Sequence, residues 1–200
     1  MEITTAMVKE LRQETGAGVL DCRDALESND GDFESAVTYL REKGLAAVAK
    51  RTGREASEGL VEAYVHHGSR VGVLMELNCE TDFVARTDDF KELAHNIALH
   101  IAFAAPGYMT PEDVPEDVVE QERAVYRAQA LEEGKPEHIV ERIVDGRLEK
   151  FYEQVCLMGQ PFVKDEDKTI QDLINDAVAR LGENIVLRRF ARYELGETLD

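Results

Sequence analysis

The sequence predicts an α+β protein. It reads as an N-terminal three-helix module, followed by a core with a small three-stranded antiparallel sheet, packed helices and a helical-hairpin arm. Three observations carry this reading. Apolar residues recur at helical spacing in three short runs before residue 45. The period then drops to two between Leu60 and Cys79. From Thr87 the helical period returns, and a last strand-like run spans Ile185 to Leu195.

In the first run, Thr4 and Thr5 are possible caps before Met7, Val8 and Leu11, and Thr15-Gly16-Ala17-Gly18 stops the helix. A second helix carries Val19, Cys22, Arg23 and Leu26 and ends at Ser28-Asn29-Asp30-Gly31. Asp32 is placed to cap a third, with Phe33, Ala36, Val37 and Leu40 on one face and Gly44 beyond its end. The stretch Leu45–Arg54, with three alanines and three bases, reads as a partly helical linker. The expected division is a module and linker at 1–54 and a core at 55–200.

In the core, Leu60–His66 and Val71–Cys79 form a hairpin across His67-Gly68-Ser69, and Val71, Val73, Met75, Leu77 and Cys79 alternate strictly. Phe90, Leu93, Ala94, Ile97 and Ile101 line one face of the next helix, with Asp88 and Asp89 suited to its positive start. Pro111 and Pro115 lead into an acidic helix that runs to about Glu133. The helix after Pro136 spaces Val140, Val144, Leu148, Phe151 and Val155 four, four, three and four apart. That seam is narrow, as in a helical hairpin or coiled coil. Gly159-Gln160-Pro161 ends it, and Thr169 caps a last helix through Ile170, Leu173, Ile174, Ala177 and Leu181.

Charge narrows the class of partner. Forty-one acids against 23 bases leave a net charge of −18. Phosphate backbones and acidic leaflets repel such a chain, so neither nucleic acid nor membrane is an expected partner. The field favours a protein or a small molecule. No run of about 18 apolar residues suits a membrane span, and the start carries no readable secretory signal. Three widely spaced cysteines, Cys22, Cys79 and Cys156, fit reduced thiols in a cytoplasmic setting.

The chemistry-bearing motifs are mostly missing. Gly16 and Gly18 make a GxG after a helix, with Asp21 where a dinucleotide loop has its third glycine, and no P-loop follows anywhere. Asp165 and Asp167 begin like a calcium loop but lack its glycine and terminal glutamate, so a solvated turn is expected there. His66 and His67 point to opposite faces of a strand end, His95 and His100 do not share a helix face, and His138 is isolated. No metal ligand set, cofactor site or catalytic group follows. Cys79 reads as a small buried residue on the alternating apolar face.

One segment stands apart. Asn78-Cys79-Glu80-Thr81-Asp82-Phe83-Val84-Ala85-Arg86-Thr87 links a strand to a helix, yet it holds the apolar pair Phe83-Val84 between Asp82 and Arg86. Two readings stand open: Phe83 tucks under the sheet as an anchor, or it projects as an aromatic wedge beside a carboxylate.

At this segment the chain resembles a known family. Glu76-Leu77-Asn78-Cys79-Glu80-Thr81-Asp82-Phe83-Val84-Ala85-Arg86 is similar to the signature of elongation factor Ts, the exchange factor for elongation factor Tu. Leu11-Arg12, Thr15-Gly16-Ala17-Gly18, Asp21-Cys22, Ala25-Leu26, Gly31-Asp32, Leu40-Arg41 and Lys43-Gly44 resemble that family's first signature. Gln160-Pro161-Phe162-Val163-Lys164-Asp165, Arg188-Arg189-Phe190 and Gly196 fit as well.

The resemblance implies several things. The first module becomes a ubiquitin-associated-like bundle that lies on the nucleotide-binding domain of elongation factor Tu. By their place after the Thr15–Gly18 turn, Val19 and Leu20 are the candidates for its exposed contact, although Val19 also fits the module's own core. Thr81, Asp82, Phe83 and Val84 enter that domain near its magnesium site and dislodge the ion, so that GDP leaves and GTP reloads. The arm corresponds to the family's coiled-coil module, around residues 136–165. Long members carry two copies of the core; this chain has one and resembles the short form, which is expected to pair as a homodimer. An exchange factor changes no covalent bond, so no enzyme activity is expected. The alternative is an adaptor whose bundle binds ubiquitin-like surfaces while the second domain dimerises; it leaves the Phe83 loop without a purpose.

Overall fold

The computed structural model describes residues 3–198. Eight α-helices and five strands are set among these residues, with a three-stranded antiparallel sheet in the order β1-β2-β5 and a separate two-stranded one, β3-β4. The chain divides into two compact units. One takes the residues up to Glu62, then Met75–His95 and Asp172–Arg188; the other takes Ala63–Leu74, Asn96–Gln171 and the residues from Arg189 on.

The first unit begins with α1 (Thr5–Thr15), α2 (Val19–Ser28) and α3 (Phe33–Arg51). The expected caps form. Thr4 Oγ1 accepts from the Met7 amide at 3.3 Å and Asp32 Oδ1 from the Ser35 amide at 2.8 Å. Gly16, at φ 68°, takes the left-handed conformation that ends α1 and donates to the Arg12 carbonyl. Val8, Leu11, Cys22, Ala25, Leu26, Ala36 and Leu40 make the shared core of this bundle.

The third helix departs from expectation. It does not stop at Gly44 but runs to Arg51, so the stretch read as a partly helical linker is helical for most of its length. Glycine lowers helix propensity by only about 1 kcal/mol, and the good helix formers Leu45, Ala46, Ala47 and Ala49 follow it. A Cβ at Gly44 would lie 3.6 Å from that of Ala179, so α3 passes there close to α8 (Ile170–Leu181).

β1 (Glu58–Val65) and β2 (Val71–Cys79) form the expected hairpin, and β5 (Val186–Glu194) lies on the other side of β2. Val73, Met75, Leu77 and Cys79 are buried on one face of β2, with Val71 half-buried, and Asn78 on the other face is buried as well. Gly59 is required at its place: its φ is +144°, and a Cβ would stand 2.2 Å from the Leu77 carbonyl oxygen. Beyond β2 come α4 (Asp82–Ala85), a single turn that periodicity did not reveal, and α5 (Asp88–Ala104), whose predicted face is buried throughout.

In the second unit α6 (Glu116–Glu132) and α7 (Glu137–Val155) pack as an antiparallel hairpin. Ala130, Val140, Val144 and Leu148 form its buried seam, with Tyr126, Ile143, Phe151 and Tyr152 against it. Val140, Val144, Leu148 and Phe151 are among the residues the spacing picks out, whereas Val155 is not part of the seam. Their partner is the acidic α6, so the hairpin spans 116–155, and the stretch expected as the arm, 136–165, holds just its second helix. The turn expected at Asp165 and Asp167 is instead β4 (Asp165–Thr169), paired antiparallel with β3 (Pro161–Phe162). So short a two-residue strand carries no alternation to read.

Candidate functional site: the Phe83 loop

The last turn of β2 delivers the chain to the loop. Cys79 is buried and its thiol donates to the Thr81 carbonyl at 3.2 Å. Burial pushes that thiol up to about 11, with the charge of Glu183 adding to the shift. A thiol so held is protonated at neutral pH and is a packing group rather than a nucleophile.

Thr81 then caps α4, its Oγ1 accepting from the Val84 amide at 3.4 Å. Ala85 turns inward and is buried. Thr87 closes the turn by donating to the Val84 carbonyl at 2.7 Å, and its Oγ1 accepts from the Phe90 amide to start α5. Asp82 pairs with Arg86 one turn on, Oδ2 to Nη2 at 2.8 Å, in an exposed geometry. Phe83 is 79% exposed. The anchor reading is thereby excluded: the ring lies in solvent, on a turn whose other side is packed.

A second layer holds the loop from about a hundred residues away. Glu183, in the turn between α8 and β5, accepts from the Thr81 hydroxyl at 2.6 Å, the Thr81 amide at 3.0 Å and the Glu80 amide at 3.1 Å. The Glu80 carboxylate in turn accepts from the Asn184 amide at 2.6 Å and lies 3.6 Å from the Arg54 guanidinium. Asn184 Nδ2 donates to the Arg54 carbonyl and Arg51 Nε to the Gly182 carbonyl, both at 2.8 Å. Residues 182–184 thus join the end of α3 to the start of the Phe83 loop.

These partners went unseen in the sequence. Leu181-Gly182-Glu183-Asn184 shows a helix end and nothing more, because no local pattern reports a bond between residues 102 positions apart. Gly182, at φ +80°, carries the one local signal, a left-handed helix stop.

The loop's signature is the feature to compare with known proteins. A family model described as elongation factor TS matches residues 26–197. The elongation factor Ts of Moorella thermoacetica is 60% identical over 195 residues, covering 98% of this chain and 96% of that protein. That of Carboxydothermus hydrogenoformans is 59% identical over 197 residues, covering 98% and 91%. That of Syntrophus aciditrophicus is 55% identical over 199 residues, covering 100% and 99%.

The chain belongs to the elongation factor Ts family.

Nucleotide exchange on elongation factor Tu is the known role of the elongation factor Ts family. The other candidate contact, Val19 and Leu20, opens α2 just after the Gly16–Gly18 turn, with exposures of 52% and 74%. Val19 therefore lies outside the core of its own bundle. Among the described residues no three His, Cys, Asp or Glu side chains group as metal ligands, and no helix is long and apolar enough to cross a membrane. His100 is buried between Gln160, 3.0 Å from Nε2, and the Val163 amide, which donates to Nδ1 at 3.3 Å. His95 faces Glu62 and His66 faces Tyr64.

Proposed function

We propose that this chain docks on the nucleotide-binding domain of elongation factor Tu through the α1–α3 bundle and drives out GDP with the Phe83 loop. The exposure of Phe83 on a turn packed from behind carries this reading. An aromatic ring held in solvent is costly to solubility and returns nothing to the fold, and it has the make-up of a binding hot spot. Phe83 and Val84 supply the wedge. Asp82 exchanges Arg86 for a group on the partner, and Thr81 fixes the turn that carries them.

The energetics follow from linkage. A factor that binds nucleotide-free partner more tightly than GDP-bound partner is, by the same ratio, displaced by GDP. Wedging shifts the groups that hold Mg²⁺ and the β-phosphate in the partner. A diphosphate without its ion loses its main charge compensation and leaves faster. GTP then occupies the vacant site. The chain makes and breaks no covalent bond in this scheme, takes up no metal or cofactor, and works where the partner does, in the cytoplasm.

Residues 1–54 act as the docking module, with Val19 and Leu20 at its contact, and 55–200 as the core. A homodimer is part of the same proposal: Val65 and Leu74, on the β1–β2 hairpin, are 64% and 50% exposed and suit a second copy. The adaptor alternative still gives the Phe83 loop nothing to do.

The test adds the purified chain to elongation factor Tu preloaded with fluorescent GDP. Acceleration of GDP release that Phe83→Ala loses is the expected result; an unaccelerated release would end the exchange reading. Sedimentation equilibrium at micromolar concentration checks the dimer, against the 22.4 kDa of one chain.

A further inference from the structure

We propose that Glu183 is a positioning residue for nucleotide exchange, its carboxylate setting the direction in which α4 presents Phe83. The inference rests on the wedge reading above and adds the element that aims the wedge.

Phe83 has almost no packing of its own, so its direction is inherited from the backbone of residues 80–85. Local bonds close the end of that turn at Val84, where Thr87 donates to the carbonyl, but its start at Glu80 and Thr81 is held mainly from elsewhere. A helix of four residues is below the length that sustains itself. The Thr81–Val84 cap is long at 3.4 Å, and the Asp82–Arg86 pair is exposed. The restraint from outside is Glu183, which takes three donors from two consecutive residues into one carboxylate. An ionised carboxylate is an acceptor on both oxygens, and three donors converging on it are the match for that group.

The arrangement also places two acidic side chains, Glu80 and Glu183, in one small network of a chain that carries a net charge of −18. Each receives a backbone amide from beside the other: Glu183 from Glu80, and Glu80 from Asn184. The exchange of bonds is reciprocal, so neither loop can tilt without breaking contacts of both. Because Arg51 and Arg54 hold the same turn, the bundle that docks and the loop that wedges share one frame.

The test uses the full chain with Glu183→Ala and Glu183→Gln, each also combined with Phe83→Ala. Thermal unfolding is followed beside GDP release from elongation factor Tu over a range of chain concentrations. Glu183→Ala is expected to lower the maximal release rate about tenfold while the half-saturating concentration stays near that of the unaltered chain, because the docking bundle is intact. Tenfold corresponds to about 1.4 kcal/mol. Glu183→Gln recovers most of the rate, its amide oxygen accepting the two backbone donors and its NH₂ turning to the Thr81 hydroxyl oxygen. In the Phe83→Ala background, Glu183→Ala adds no further loss.

A spectroscopic readout is independent of exchange. The chain holds no tryptophan, so Phe83→Trp places a lone reporter on α4, and its fluorescence anisotropy should fall when Glu183→Ala is added at unchanged melting temperature. Unaltered anisotropy, a normal maximal rate for Glu183→Ala, or an equal tenfold loss with and without Phe83 would overturn the proposal. If Glu183→Ala does not fold, the same cycle with Glu183→Gln and Glu183→Asp, which keep the acceptor but change its charge or reach, decides it. Slow exchange for Phe83→Ala with normal exchange for Glu183→Ala rejects the positioning role alone; normal exchange for Phe83→Ala rejects the wedge itself.

Discussion

The α6–α7 hairpin closes on a buried apolar seam and sets its ion pairs outside it, whereas the loop from Glu80 to Thr87 exposes its aromatic residue and keeps its polar restraints behind it. In the hairpin, Val140, Val144 and Leu148 close against Ala130. Arg127 then spans the two helices with a two-pronged contact to Glu141, both bonds at 2.9 Å. Arg147 likewise reaches Glu133 and Gln129, and its hydrogen bond, with its charge adding to the effect, holds the Glu133 carboxyl below its ordinary value. In the Phe83 loop the order is inverted: charge-assisted bonds to Glu183 do the holding, and the apolar group is presented. One arrangement is what a stable fold requires; the other is what an encounter with a partner requires. Stability and function should therefore respond to mutation in opposite ways in the two places.

The largest expected effect on the fold lies in the hairpin. Leu148→Ala should cost roughly 2–5 kcal/mol of stability, since it opens a cavity in a thin seam. Denaturant unfolding of the full chain measures it, and a loss below about 1 kcal/mol would mean that the seam is not the support of this hairpin.

Phe83→Ala is the mirror case. It should leave stability within about 0.5 kcal/mol, as surface changes do, while slowing partner-bound GDP release by roughly 30-fold, the equivalent of about 2 kcal/mol at a hot spot. Unfolding and release measured on one preparation decide between the two regions. A large stability loss with normal exchange per folded molecule would erase the contrast.

A buried polar group sharpens the comparison further. Burial holds the His100 imidazole below its ordinary value, an effect that the Gln160 contact partly offsets. Nδ1 accepts from Val163, so the folded chain keeps the neutral form with its proton on Nε2. The unfolded chain takes up the extra proton first as pH falls, so this contribution is fully present above about pH 6.5 and is lost as pH drops below it. Urea unfolding at pH 7.5 and 5.5 should show a smaller acid loss for His100→Gln than for the unaltered chain.

The smallest effect belongs to the charges on the hairpin surface. Arg127→Ala removes an ion pair that is about half exposed on both sides and should cost less than about 1 kcal/mol. The cost should shrink further in high salt, which thermal melts at two ionic strengths would show.

The sequence by itself determined the kind of each long element and which side of it turns inward. The caps at Thr4 and Asp32, the buried alternation on β2, the inner face of α5 and the α7 seam all stand where spacing puts them. The Phe83 segment was also legible as unusual, because an apolar pair between charged residues in a connecting loop breaks the usual pattern. Its two readings could not be separated there, since exposure depends on what the rest of the chain leaves uncovered. Other features were misread for local reasons: Gly44 inside an alanine-rich helix, and strands β3 and β4 too short to show a period. Tertiary structure alone decided that Phe83 faces solvent, that α6 is the partner of α7, and that Glu183 and Asn184 hold the loop. Periodicity is a property of neighbouring residues and reports the side of an element that is buried. Bonds such as those from Glu183, spanning 102 and 103 positions, depend on which elements meet, and that is settled only when the whole core packs.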